Sequence, residues 1–178
     1  MVILFDADSL IYASCFDSNK ESGEKWLTID KAYDKFQEGL DKIFAELEEQ
    51  VEVDKFIVCN GSKGNFRHDI SKEYKANRTG EKPPILGKLH SLVKRKYRSH
   101  YGLGVETDDV VATLWKRVAD KSGVDSVIIV SIDKDMLQVP GTHFNNAKWE
   151  YTEMTEEQSN YLLHKQILTG DSSDNIKG

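Results

Sequence analysis

Apolar residues are unevenly spaced along this chain, and their spacing predicts its elements. Val2-Ile3-Leu4-Phe5, Phe56–Cys59 and Val127-Ile128-Ile129-Val130 are short continuous apolar runs, the pattern of strands buried on both faces. Between the first two, Ile29, Tyr33, Phe36, Leu40, Ile43 and Leu47 fall at helical spacing, predicting an amphipathic helix to about Gln50. Helices are also predicted over Ala7–Phe16, from Pro83-Pro84 to Tyr101 and over Glu106–Lys121. Short strands are expected at His143-Phe144 and Trp149–Tyr151. Thr155-Glu156-Glu157-Gln158 fits a capping box that opens a last helix through Tyr161, Leu162 and Ile167. Loops are expected at Asn19–Lys25 and Asn60–Asn65. Strands alternating with helices predict an α/β fold with a mainly parallel central sheet flanked by helices.

Such sheets bind ligands outside the carboxyl ends of their strands. Asp6 stands just past the first apolar run, Asn60 just past the second, and Asp133 and Asp135 just past the third. Glu106, Asp108 and Asp109 open a helix, and Asp171 and Asp174 sit in a Gly-Asp-x-x-Asp-Asn loop. An acid after a strand also serves as a helix cap; Asp8 fits that role or a place just behind the metal ligands, and acids in a first turn also complement the helix dipole. Three acids within four residues exceed what a cap needs, and their repulsion calls for a cation. The set is all oxygen, and His68, His90, His100, His143 and His164 are scattered, so Mg²⁺ or Mn²⁺ is expected rather than Zn²⁺. Two such ions about 4 Å apart can activate water and stabilise a leaving oxygen.

Charge adds a second element. The net charge of −6 hides a segment, residues 63–98, with eleven Lys and Arg against three acids. That segment carries +8 and the remainder −14. Within it, Phe66-Arg67-His68 and Tyr74-Lys75-x-Asn77-Arg78 interleave aromatics with cations, as a site for single-stranded nucleic acid does. The 39% hydrophobic and 30% charged residues suit one globular domain, residues 1–178. No apolar run reaches the roughly 20 residues that span a bilayer. Cys15 and Cys59 lack metal-ligand spacing, so reduced core thiols and a cytoplasmic setting are expected, the host cytoplasm for a phage protein.

Five motifs in order resemble the 5′→3′ exonucleases and flap endonucleases of the PIN-like 5′-nuclease superfamily, found as phage enzymes and as the N-terminal domain of DNA polymerase I. They are Phe5-Asp6-Ala7, Phe66 through Arg78, Glu106-Thr107-Asp108-Asp109, Asp133-Lys134-Asp135 and Gly170–Gly178. The resemblance implies that Asp6, Glu106, Asp108 and Asp109 serve mainly one metal, and Asp133, Asp135, Asp171 and Asp174 a second. It places Lys75 and Arg78 in a basic helical arch, about residues 62–101, over the scissile phosphate. With Arg67, His68 and Tyr74 they form the expected nucleic-acid contacts. The implied catalytic set is Lys75, Arg78, Asp6, Glu106, Asp108, Asp133 and Asp135, acting as a monomer on DNA with 5′ single-stranded ends or flaps, or on RNA–DNA hybrids. Asn60 departs from the family's usual acid at the second strand tip; it can still coordinate a metal through its carbonyl oxygen, without charge. The family's last motif leads into a helix-hairpin, starting here at about residues 170–178, so a further C-terminal segment or a second chain is expected. The alternatives are a PIN-like ribonuclease on single-stranded RNA, which would lack the Tyr-Lys-Ala-Asn-Arg segment, and a catalytically weak nucleic-acid-binding module.

Overall fold

The computed structural model describes residues 1–18, 24–62, 64–97 and 100–178, with backbone alone at 100 and 101. Most of the predicted loop at 19–25, together with Lys63 and Arg98, lies outside the described residues.

The first apolar run forms β1 (Val2–Asp6), followed by α1 (Asp8–Ser14) and the long α2 (Ile29–Gln50). Then come β2 (Lys55–Asn60), the single turn α3 (Arg67–Ile70) and α4 (Leu86–Lys96). A two-residue strand, β3 (His100–Tyr101), precedes α5 (Thr107–Ser122) and β4 (Val127–Val130). A 3₁₀ turn over Lys134–Gln138 leads to β5 (Gly141–Asn145), β6 (Glu150–Met154) and α6 (Glu156–Thr169). The chain ends in a small ribbon, β7 (Gly170–Asp171) and β8 (Ile176–Lys177).

The six-stranded sheet has the order β3-β2-β1-β4-β5-β6. Its first five members in that order pair in parallel, and β6 is the antiparallel edge. The chain steps outward from β1 to β2, then returns to place β4 on the other side of β1. That reversal opens a crevice at the carboxyl ends of β1 and β4. Ile3, Leu4 and Phe5 are fully buried because each face of β1 meets helices. Each such side chain contributes about 1.5–3 kcal/mol by burial. Phe5 and Val58 pack with Ile11 of α1, Phe36 of α2 and Leu89 of α4, whereas Leu4 and Cys59 pack with Val111 of α5.

Several predicted boundaries move. The helix expected from Pro83 to Tyr101 starts at Leu86 and stops at Lys96. Lys94, Arg95 and Lys96 fill its last turn, where cations complement the dipole, and the next residues join the sheet as β3. Strand β6 begins after Trp149, which turns at φ 58 with its N–H on Asn145 O (2.7 Å). The Thr155 capping box forms in both directions with Gln158. Tyr161, Ile167 and Leu168 lie on the outer face of α6 and are exposed.

Candidate metal and nucleic-acid site

Asp6 closes β1 inside the crevice and is 7% exposed. One carboxylate oxygen accepts the Asp8 N–H (3.1 Å), the other the Ser131 hydroxyl (2.9 Å) just past β4. Burial, then repulsion from Asp8, pushes its carboxyl up to about 7 despite those two bonds. The Ser131 hydroxyl also accepts the Asp133 N–H (3.0 Å), so one serine ties the ends of β1 and β4 together.

The α5 N-terminus brings the second acid group. Gly61 follows β2 and lets it approach: a Cβ there would lie 2.9 Å from the Thr107 backbone nitrogen. Asp109 accepts the Glu106 N–H (3.0 Å) and forms a two-pronged pair with Arg67 of α3, both contacts 2.7 Å. That guanidinium holds the Asp109 carboxyl below its usual range. Asp108 has no such partner; burial, then Glu106 and Asp109, raise it to about 6.

The third group gathers around Gln166 of α6, which reaches Asp135 (3.2 Å) and Asp171 (2.7 Å). Lys134 Nζ stands 4.0 Å from a carboxylate oxygen of each. Asp171 is held down at about 2, chiefly by the Ser173 hydroxyl (2.5 Å) and helped by the Ser173 N–H (2.8 Å). Asp135 is raised by burial.

Residues 73–78 lie across these groups. Tyr74 is buried, and its hydroxyl donates to Glu106 (2.6 Å) and Asp174 (3.0 Å). Lys75 Nζ meets Glu106 at 2.5 Å and Asp174 at 3.5 Å, and Arg78 meets Asp174 at 2.6 Å. Burial raises the Glu106 carboxyl, but hydrogen bonds from Lys75 and Tyr74 outweigh it and leave Glu106 below its usual value. Backbone contacts seal the arrangement: Lys75 N–H on Asp174 O (2.9 Å), Asn77 on Ser172 O (2.8 Å) and Asn175 on Glu73 O (2.8 Å). Beneath them opens a cavity of about 1080 Å³, lined by His68, Lys75, Arg78, Lys82, His90 and Lys94 among others.

The site residues therefore meet at one rim, with three changes from the sequence expectation. Tyr74 is a buried hydrogen-bond donor to carboxylates, not an open stacking surface; the edge of His68 covers it at 5.4 Å between ring centres. Asp174 joins Glu106 through Tyr74 and Lys75, away from Asp171, whose side chain turns to Gln166. Among the described residues, no three His, Cys, Asp or Glu side chains stand close enough to share one ion; Lys75, Arg78 and Arg67 hold Glu106, Asp174 and Asp109. Sequence reasoning missed Gln166 and Ser131. Neither carries a signal by type, and only the fold brings them to the acids.

Comparison with known proteins gives a consistent picture. The family model for the 5′-3′ exonuclease N-terminal, resolvase-like domain matches residues 1–166. A 5′-3′ exonuclease from Buchnera aphidicola is 33% identical across 68% of this chain and 46% of its own length. DNA polymerase I from Bacillus caldotenax is 29% identical across 99% of this chain, which spans only 21% of that protein. Two solved structures share the fold at 19% identity, each covering 99% of this chain and 69% of its own. One is a T5 5′-exonuclease with bound zinc ions (TM-score 0.68); the other is a bacteriophage T5 flap endonuclease complexed with DNA and metal ions (TM-score 0.64). The chain thus spans less than half the length of these two curated relatives.

Proposed function

We propose a function from one premise: the chain belongs to the 5′-3′ exonuclease N-terminal, resolvase-like domain family. It is a metal-dependent, structure-specific 5′ nuclease that hydrolyses phosphodiester bonds of DNA near single/double-strand junctions. The observation that carries this reading is a set of carboxylates at the strand ends, the start of α5 and the terminal loop, lying against a cationic segment that roofs a large cavity. The donor set suits a hard divalent cation, Mg²⁺ or Mn²⁺. Asp6, Asn60, Glu106 and Asp108 would hold one ion, Asp133, Asp135 and Asp171 a second, with Asp109 and Asp174 freed when Arg67 and Arg78 turn to substrate.

Divalent cations held there would activate water and offset charge on the leaving oxygen. The chain's own part is positioning. Residues 62–101 act as an arch whose cavity admits a single strand, and His68, Lys82 and Lys94 line its path. Lys75 and Arg78 neutralise phosphate charge as it develops. Asp109 orients Arg67 and sets the first turn of α5, which aims Glu106 and Asp108. The buried free thiols Cys15 and Cys59 fit a reducing cytoplasm.

A 5′-labelled flap duplex and a matched single strand, incubated with Mg²⁺, Mn²⁺ or EDTA, test the reading. Metal-dependent cutting near the flap junction is expected. Binding without cutting in either metal would favour a non-catalytic module instead.

The raised acids make cation binding pH-dependent. A cation takes the ionised carboxylate, so protons compete below the metal-free values of about 7 for Asp6 and about 6 for Asp108. Between pH 8 and pH 6, cation affinity should fall roughly 20-fold, since both groups take up protons over that range. Calorimetric Mn²⁺ titrations at the two pH values measure this. Equal affinities would remove both acids from the site.

A further inference from the structure

At the carboxyl end of β2, several polar groups are buried with nothing to satisfy them. Asn60 is 0% exposed, and neither atom of its amide has a hydrogen-bond partner among the described residues. The Ser9 hydroxyl and Oδ1 of Asp8 are likewise buried without a hydrogen bond, although the Asp8 side chain as a whole is 46% exposed. Folded proteins rarely leave such groups unpaired, and an unpaired carboxylate oxygen is the costliest of them.

The fold brings these groups together. Asp8 is the first residue of α1, and its N–H donates to Asp6. Its Oδ2 accepts the Thr107 hydroxyl (2.5 Å), which in turn accepts the Gly61 N–H (2.5 Å) beside Asn60. Asp8 is thus tied to the starts of α1 and α5 and to the end of β2. Strand alternation puts Asn60 on the face of Val58, which packs with Ile11 of α1 and with Leu89 and Val93 of α4. That is the face on which α1 packs. Asp8, Ser9 and Gly61, the residue after Asn60, also line the cavity under residues 73–78.

Two ordinary roles for Asp8 fail. It does not cap its helix: Ala7 holds the cap position, and no side chain caps α1. Nor does it bond His90, whose Nδ1 is 3.7 Å away, beyond hydrogen-bond length, in a ring that burial biases toward its neutral form. A carboxylate oxygen, an amide carbonyl and a hydroxyl are the ligand set of a hard cation or its hydration water.

We propose that Asp8 is a further acidic residue of the divalent-cation site at the ends of β1 and β2, and supplies there the negative charge that neutral Asn60 does not. The inference rests on reading the chain as a metal-dependent nuclease. It names a residue whose charge the site needs, and it predicts that this charge can be moved from Asp8 to position 60.

The test is Mn²⁺ binding to the whole chain, followed by the loss of free-Mn²⁺ EPR signal and needing no turnover. Asp8→Asn keeps an acceptor for Thr107 and removes only the charge. It should weaken the tightest Mn²⁺ site about tenfold, while the circular dichroism melt stays that of wild type. The exchanged pair Asp8→Asn with Asn60→Asp should return affinity to within about threefold of wild type, because the site's total charge is restored. Wild-type affinity in Asp8→Asn would overturn the inference and leave the metal reading intact. So would a double variant as weak as Asp8→Asn alone, the result if Asp8 only braces Thr107. Absence of Mn²⁺ binding in wild type and every variant would overturn the metal reading itself, and this inference with it.

Discussion

Replacing Lys75 by alanine should slow single-turnover cleavage of a 5′ flap by about 10²–10³-fold, the usual cost of removing one preorganised charge from a phosphoryl transition state. Substrate affinity measured in EDTA should change by about threefold or less, because one phosphate contact among many contributes little to binding. The structure also predicts a second effect of opposite sign. Lys75 sits in the left-handed region (φ 56), a conformation costing a residue with a Cβ about 1–2 kcal/mol. It is held there by its N–H on Asp174 and by its ammonium on Glu106 and Asp174. An ammonium on Glu106 excludes a cation from the same oxygens. Lys75→Ala should therefore bind Mn²⁺ more tightly, even as it cleaves more slowly. Tighter metal with slower chemistry distinguishes a catalytic cation from a structural one. If only substrate affinity fell, Lys75 would be a simple phosphate contact.

Much of this arrangement is legible in the sequence, and the reason is physical. Strands buried on both faces must be apolar throughout, so Val2–Phe5 and Val127–Val130 announce themselves, and acids directly after them can only lie at strand ends. The helix over Ile29–Gln50 follows from spacing alone. What spacing cannot carry is partnership across the chain. Asp174 and Glu106 are 68 residues apart in sequence, and what joins them is Tyr74, an aromatic in a basic run that looks like a stacking surface. Its burial comes from the terminal loop folding over it, a contact no local pattern records. Strand β3 was hidden for a similar reason: two residues give no alternation, and the helical pattern of α4 runs straight into them. Asp8 is a case of two readings narrowed to one. An acid just after a strand fits a cap or a place behind the metal ligands, and the geometry removes the cap.

Converting both Asp133 and Asp135 to alanine should abolish flap cleavage, a loss of about 10³-fold or more, and leave the fold intact. The two halves of that expectation have separate grounds. Asp133 accepts the Asp135 N–H (2.9 Å) as the cap of the 3₁₀ turn, and losing such a cap costs about 0.5–2 kcal/mol. Against that loss, Asp133 adds to the repulsion on Asp6, and Asp135 carries a carboxyl raised by burial beside Asp133 and Asp171. Removing both acids relieves that crowding, so the melting temperature in EDTA should move by only a few degrees. A bound divalent cation would offset such crowding, so wild type should gain more thermal stability from added Mg²⁺ than the double variant. The number of Mn²⁺ ions bound should drop by one while the site at Asp6 and Glu106 persists. A folded double variant that still cut flaps at the wild-type rate would remove Asp133 and Asp135 from the chemistry. The second cation would then have to be held by Asp171 and its neighbours alone, and Asp171 is already engaged by Ser173 and Gln166.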